Sequence, residues 1–344
     1  VLEKLIQQLT AAQSLDGEQV NAAVEQLADE KVAAEIKADF LTSLAKKGET
    51  PREIAAFARA LRDKSIPPPL DAETRSREIL DVVGTGGDRL STFNISTTVA
   101  ILCAAAGVTV AKHGNRAVTS SVGSADVIEA LGIKVDLTPE AAARELKEKN
   151  FAFFFAPNFH PAFKNIAPAR KLCAANGHRT IFNVLGPLLN PARPSALLVG
   201  VPRIELCEPM AGALQSLGAR RGMVVCGFAE DKTLDEFSTI GATEIAEFYQ
   251  ERGFSASVFS PNNFPLQPAT LADLRGGDKL ANAEIIRRIL RGDERGPKRD
   301  AVLLNAAAAL FVAGKTKSLA EGWELAGETI DSGKANAKLV ELAS

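Results

Sequence analysis

The stretch Asp81-Val82-Val83-Gly84-Thr85-Gly86-Gly87-Asp88 carries an apolar run straight into a glycine-rich turn, and Phe93-Asn94-Ile95-Ser96-Thr97-Thr98 then opens a helix with hydroxyl residues. Glycines let a backbone approach a phosphate without a Cβ clash, and free N–H groups at a helix start bind anions. The pattern is neither the dinucleotide fingerprint nor a P-loop, because no lysine follows the glycines. A tight strand-to-helix turn with a Ser/Thr cap would use the same residues. Asp88 bears on the choice. A carboxylate beside a phosphate cradle is repulsive unless a cation or a sugar hydroxyl lies between them, so the turn points to a phosphorylated sugar, alone or with Mg2+.

Lys112-His113-Gly114-Asn115-Arg116 stands at the end of a predicted strand, the place where parallel sheets gather ligands. Lys112 or Arg116 can neutralise phosphate, and Asn115 can donate and accept; a solvated turn would look the same. Thr119-Ser120-Ser121 and Gly123-Ser124-Ala125-Asp126 follow as a second hydroxyl-rich helix start. Asp235-Glu236, by itself an ordinary surface doublet, gains interest because Mg2+ takes one or two carboxylates besides waters and substrate phosphates. Phe155-Ala156-Pro157-Asn158-Phe159-His160-Pro161, with Phe163 and Arg170 beyond, would suit a flat aromatic anion, the arginine fork matching a carboxylate. His160 reads as a structural histidine before it reads as an acid or base. With only three histidines, a poly-His metal site is short of ligands, and any metal is expected on oxygen.

The elements that must position these groups fall into two sets. Leu2, Leu5, Ile6 and Leu9 follow helical spacing, and Val20, Val24 and Leu27 repeat it after a cap at Asp16. Thr50-Pro51-Arg52-Glu53 joins a capping box to a first-turn proline and predicts a helix running to about Asp63. Ser65-Ile66-Pro67-Pro68-Pro69 then reads as a stiff linker. Beyond it strands are expected at 79–83, 108–111, 151–155, 197–200 and 223–226, with helices near 96–106, 125–131, from 138 and at 205–217. Such alternation predicts a mostly parallel sheet covered by helices on both faces. The charged segment 291–299 reads as a solvated loop.

The chain has 344 residues, enough for two domains, and a formal net charge of −2, which gives no overall electrostatic footprint for nucleic acid or membrane. Its four cysteines sit singly in apolar stretches, as buried thiols of a reducing compartment would. The first residues lack a signal-peptide layout, and the longest apolar run, Val99 to Ala106, is far short of the ~20 residues that span a bilayer. A cytoplasmic location is the expectation.

In this order the motifs closely resemble the anthranilate phosphoribosyltransferases. The resemblance runs nearly the whole length, through GTGGD, NIST, KHGNR, GSAD, FAPNFHPAFKNIAPAR, RTIFNVLGPLLNPA at 179–192 and LDE at 234–236. It implies a small helical domain (1–69 plus about 161–185) hinged to a large α/β domain (70–160 and 186–344), usually as a homodimer. The implied reaction is attack by the anthranilate amine on the anomeric carbon of 5-phosphoribosyl-1-pyrophosphate (PRPP), releasing pyrophosphate. Carried over by position, Gly84, Thr85, Gly86, Gly87, Asp88, Thr92, Asn94, Ser96, Thr97, Lys112 and Ser124 would bind the phosphoribosyl donor. Ser96, Asp235 and Glu236 would hold Mg2+. Gly84, His113, Asn115, Pro157, Phe163 and Arg170 would line the anthranilate path, with Arg170 on the carboxylate.

No dedicated general base is expected, because an arylamine is already neutral at pH 7. Phe163 stands where some relatives carry Tyr or Met, and Cys226 where a His is common. Two rival readings share the fold. Pyrimidine nucleoside phosphorylases use a Lys-His-Ser-Thr-Gly-Gly type of loop where Val83-Gly84-Thr85 stands here. Nucleic-acid-binding relatives would be basic and altered at KHGNR, Arg170 or LDE, all of which this chain keeps.

Overall fold

The computed structural model describes residues 1–117, 122–250 and 253–344. Four helices come first: α1 (Leu2–Thr10), α2 (Gly17–Ala28), α3 (Ala34–Lys47) and α4 (Pro51–Asp63). The capping box forms as predicted, with Glu53 N–H donating to Thr50 Oγ1 at 3.2 Å and Thr50 N–H donating to Glu53 Oε2 at 2.9 Å. Glu53 does more than cap. Its carboxylate also accepts from Leu15 N at 2.9 Å and pairs with Lys47 at 2.7 Å, so one buried group ties the ends of three helices.

After the proline linker the strands are β1 (Ile79–Gly84), β2 (Thr109–Gly114), β3 (Phe151–Phe155), β4 (Ala196–Gly200), β5 (Arg221–Ala229), β6 (Lys232–Leu234), β7 (Thr243–Tyr249) and β8 (Gly253–Phe259). Their order across the sheet is β3-β2-β1-β4-β5-β7-β8, with β6 paired to β5. From β3 to β5 all pairs are parallel; β6, β7 and β8 extend the sheet antiparallel. The remaining helices are α5 (Ala72–Ser76), α6 (Ile95–Ala105), α7 (Ser124–Ala130), α8 (Pro139–Lys149), α9 (Ala156–Phe159), α10 (Phe163–Ala175), α11 (Phe182–Leu185), α12 (Cys207–Ser216), α13 (Lys279–Arg291), α14 (Pro297–Val312), α15 (Leu319–Asp331) and α16 (Lys334–Leu342).

Strand alternation divides the sheet's side chains between its two faces, in two large clusters and a smaller one with Ile79, Ala111, Ala152 and Phe154. Leu80, Val82, Leu198 and Val225 pack with α6 and α13 to α16, while Leu197, Val199, Val224 and Cys226 face α12 and the helical bundle. Ile166, Ala169 and Cys173 of α10 share that second cluster with Phe40, Leu41 and Leu44 of α3. Polar contacts repeat the join: buried Lys37 donates to the carbonyls of Asp29 and Asn165 at 2.7 and 2.9 Å, and Asn165 Nδ2 donates to Ala28 O at 2.8 Å. The linker is pinned by Ile66 N–H on Phe159 O at 2.8 Å.

The segment 291–299 forms a loop at 292–296, as read, but its last residues are helical. Gly292 ends α13 in the left-handed region, and Pro297 is already in the first turn of α14, a helix buried along almost its whole length. Arg299 is buried there and reaches Asp331 at 2.9 Å. Proline at the helix start was the signal, outweighed by the charges around it.

Gly200 closes β4, and a Cβ there would lie 1.6 Å from the Asp235 carbonyl oxygen. Backbone cannot yield as a side chain can. Gly200→Ala should therefore lower unfolding stability by about 2–3 kcal/mol or prevent folding, read by urea denaturation; a wild-type midpoint would contradict this packing.

Candidate active site

The glycine turn begins where β1 stops. Thr85 N–H donates to Gly200 O at 2.9 Å, and the chain then turns through Gly86 (φ 70°) and Gly87 (φ 88°). Both glycines occupy the left-handed region that side chains disfavour. Gly84 serves a different purpose. A Cβ on it would fall 2.2 Å from Asp235 Oδ2, and that same oxygen accepts from Gly86 N–H at 2.7 Å. The turn is thus wrapped around a carboxylate delivered by the segment after β6.

Asp88 completes an acidic cluster with Asp235 and Glu236. Its Oδ1 accepts from Leu90 N at 3.1 Å, but its Oδ2 is buried and has no donor. Burial first, and then the charge of Asp88, push Asp235 up to about 8. Glu236 is raised well above the usual carboxylate range by burial and by Asp235, although its carboxylate accepts from Ser96 N–H at the start of α6. Three acids held this close want a cation or protons. Among the described residues no three His, Cys, Asp or Glu side chains converge as a complete metal cage. A hard cation here would therefore take its remaining oxygens from ligand and water, the usual habit of Mg2+.

Lys112 does not reach out freely. It is buried, donates to Val82 O at 2.7 Å, and feels the charges of Asp81 and Glu236; burial holds its ammonium below the usual range. Arg116 is exposed and committed to Asp126 at 3.2 Å and Glu129 at 3.1 Å. Thr92 bridges to Arg275, Phe93 N–H donates to Leu274 O, and Asn94 Oδ1 accepts from Asn282 Nδ2 at 3.0 Å, so the loop after the turn leans on α13 and the segment ahead of it. Thr97 Oγ1 is buried without a partner. Ser124 Oγ donates to Asn115 O at 3.5 Å and stands 2.1 Å from where a Cβ on Gly114 would be. Thr119, Ser120 and Ser121 lie outside the described residues.

A second group starts one residue after Lys112. The His113 ring lies 5.5 Å from His160, which stacks on Phe163 at 5.0 Å and 18°. Phe163 meets the edge of Phe182 at 5.7 Å, and the Arg170 guanidinium sits 5.3 Å from the Phe182 ring centre. Burial lowers Arg170 from its ordinary value. Among the described residues no carboxylate pairs with it. Burial pushes His113 down to about 3 and His160 down to about 4, so both rings are neutral. His160 Nε2 meets Leu189 O at 2.9 Å, while His113 Nε2 is buried and unpartnered. Pro157 is exposed on α9, and Asn158 turns away to Asp136 at 2.8 Å. Cys226 is buried in β5 on the bundle-facing side and joins neither group.

Three site neighbours carried no signal strong enough to be chosen from sequence. Asp81 is fully buried, accepts from Asn190 Nδ2 at 2.9 Å and faces His113 N–H at 3.4 Å. A charged residue inside the apolar run 79–83 was the available hint for Asp81; Asn190 gave none. Arg179 reaches the turn itself, donating to Gly87 O at 3.1 Å.

Family models describe both parts of the chain: a glycosyl transferase family helical bundle domain over residues 3–65, and a glycosyl transferase family a/b domain over 76–336. Anthranilate phosphoribosyltransferase of Geobacter sulfurreducens is 47% identical over 89% of this chain and 88% of its own length, and that of Petrotoga mobilis is 45% identical over 98% and 94%. The chain belongs to the anthranilate phosphoribosyltransferase family. It is accordingly an enzyme of the glycosyltransferase class with a small N-terminal helical domain and a large α/β domain. The crystal structure of anthranilate phosphoribosyltransferase from Thermus thermophilus superposes with a TM-score of 0.88 at 42% identity, covering 98% of each chain. The enzyme from Saccharomyces cerevisiae in complex with PRPP and Mg gives 0.88 at 28% identity, covering 99% of this chain and 96% of that one.

The two buried histidines set a pH dependence. Unfolded imidazoles take up protons near pH 6.5, whereas these resist until about 3 and about 4. The unfolded state binds more protons in that interval, so stability is complete above about pH 6.5 and falls as pH drops below it. Between pH 7 and pH 5 the loss should be about 2 kcal/mol for each ring, measured by urea melts. His160→Gln should lose less over the same interval.

Proposed function

We propose that this chain transfers the 5-phosphoribosyl group of PRPP to the amine of anthranilate, giving phosphoribosyl-anthranilate and pyrophosphate. The single observation that carries the reading is the closure of the glycine turn on Asp235, with Glu236 against Ser96 N–H at the start of α6. Main-chain amides, a helix start and an acidic cluster needing a cation are what a pyrophosphorylated sugar requires. Gly84 to Asp88, with Thr92, Asn94, Ser96, Thr97, Lys112 and Ser124, would receive the donor. Gly84, His113, Asn115, Pro157, Phe163 and Arg170 would line the acceptor's place.

The donor set fits Mg2+. Asp88 Oδ2 is buried without a partner, and Asp235 and Glu236 are held at raised values that a cation would relieve. Ser96, Asp235 and Glu236 would hold it, with phosphate oxygens of the donor. When bound, the ion supplies neutralisation of the departing pyrophosphate. The chain's own residues do the rest. Turn amides orient the leaving group, Lys112 adds buried positive charge, and Arg170 orients the acceptor through its carboxylate. The aryl ring would rest among Phe163, His160 and Phe182, neutral surfaces that leave the amine unprotonated. No group is needed to remove a proton before attack. The helical domain would comprise 1–69 with about 161–185, and the enzyme would act as a cytoplasmic homodimer. Four buried free thiols support a reducing compartment, no helix among the described residues is long and apolar enough to cross a membrane, and the net charge gives no attraction for nucleic acid.

Loss of anthranilate fluorescence on adding PRPP, with and without Mg2+, tests the reading directly; unchanged fluorescence with both substrates and metal present would refute it. Arg170→Ala should raise the anthranilate KM at least tenfold and change kcat less, since the lost contact is made in the ground state. Asp235→Asn combined with Glu236→Gln should flatten the Mg2+ response, and a titration matching wild type would remove both from the site.

A further inference from the structure

Around the glycine turn the fixed charges are unbalanced. Asp88, Asp235 and Glu236 are acidic, while the nearby Lys112 is buried and already shared among Val82 O, Asp81 and Glu236. Pyrophosphate leaving a sugar carries several negative charges, so a cationic side chain beside the turn amides would add to its stabilisation. The cation that touches the turn from outside is Arg179. Its Nη2 donates to Gly87 O at 3.1 Å, and Nη2, Nη1 and Cζ lie 3.5, 3.8 and 3.9 Å from the point a Gly87 Cβ would occupy. The guanidinium therefore lies against Gly87, beside the exposed Gly86. It is exposed, and among the described residues no carboxylate pairs with it.

Its mounting is firm. The next residues, Thr180 and Ile181, are buried, and Thr180 N–H donates to Asn183 Oδ1 at 2.9 Å. Phe182, one step further, carries the Arg170 guanidinium on its ring. One short segment thus touches the phosphate turn with Arg179 and the acceptor's arginine with Phe182.

We propose that Arg179 is a pyrophosphate-binding residue of this enzyme, its guanidinium exchanging the Gly87 carbonyl for the leaving-group oxygens of the donor. This rests on the reading of the glycine turn as the pyrophosphate site. A planar fork is suited to the exchange, because it can meet two phosphate oxygens at once where a carbonyl offers one. Being exposed, it can move without uncovering apolar surface. It selects the pyrophosphorylated end of the donor, not the sugar or the 5-phosphate.

The test is calorimetric titration of inorganic pyrophosphate with Mg2+, and of ribose 5-phosphate, into wild type, Arg179→Ala, Arg179→Lys and Gly84→Ala, alongside KM values for both substrates. Arg179→Ala should weaken pyrophosphate by about 10- to 100-fold and raise the PRPP KM in proportion. Ribose 5-phosphate affinity and the anthranilate KM should stay within about twofold, and Arg179→Lys should recover part of the loss as a point charge. Wild-type pyrophosphate affinity in Arg179→Ala, with a loss in Gly84→Ala, overturns the role of Arg179 alone. Wild-type affinity in both variants overturns the glycine-turn reading with it. Equal loss of pyrophosphate and ribose 5-phosphate in Arg179→Ala means a merely structural contact and also overturns the proposal.

Discussion

The site depends on one close approach: a carboxylate threaded between two strand ends. Asp235 can enter because Gly84 and Gly200, at the ends of adjacent parallel strands β1 and β4, leave the space a Cβ would fill. Its oxygen then fixes Gly86 N–H, and the turn takes its shape from that bond. The cost is electrostatic. Asp88 and Glu236 are brought beside the buried Asp235; beyond burial itself, the charge of Asp88 raises Asp235, and that of Asp235 raises Glu236. A protein selected for stability alone would have no reason to gather three acids there. The arrangement is strained in charge until a ligand with a cation settles in it, which ties folding geometry to the chemistry of the leaving group.

The acceptor side is built on the opposite principle. Burial keeps His113 and His160 uncharged, and stacking with Phe163 and Phe182 gives flat apolar surfaces. Arg170 is the cation at its edge, without a protein carboxylate among the described residues. Arg62 and Lys112 also place positive charge within reach of the histidine rings. The two groups of residues therefore differ electrostatically: acids predominate around the glycine turn, and cations stand around the neutral rings.

Much of this was legible in the residues. The capping box at Thr50, the parallel strands, the glycine turn and the LDE doublet each leave a local signature, and the order of motifs gave the family. What local pattern could not show is how glycines are used. Gly84 looked like room for a phosphate, and in the structure it is room for Asp235, a partner 151 positions away. Arg179 was hidden for the same reason, because its contact with Gly87 is made by the fold and not by spacing. The antiparallel extension β7–β8 was missed because β8 is an exposed edge, with no buried face to leave an alternation. The buried helix α14 was obscured by the charges at its first turn, of which Arg299 is paired with Asp331 at the end of the neighbouring α15.

The insertion of α10 among the N-terminal helices has a consequence for biosynthesis. Lys37 and the apolar face of α3 wait for Asn165, Ile166 and Cys173 to complete them. A ribosome has to make the linker, the first three strands of the sheet and the helices between them before those residues emerge. Until then the newborn bundle presents an unfilled apolar groove, and its own first four helices cannot close it. The helices α2 and α3 are encoded first and receive α10 late, so their packing is completed only as the large domain grows.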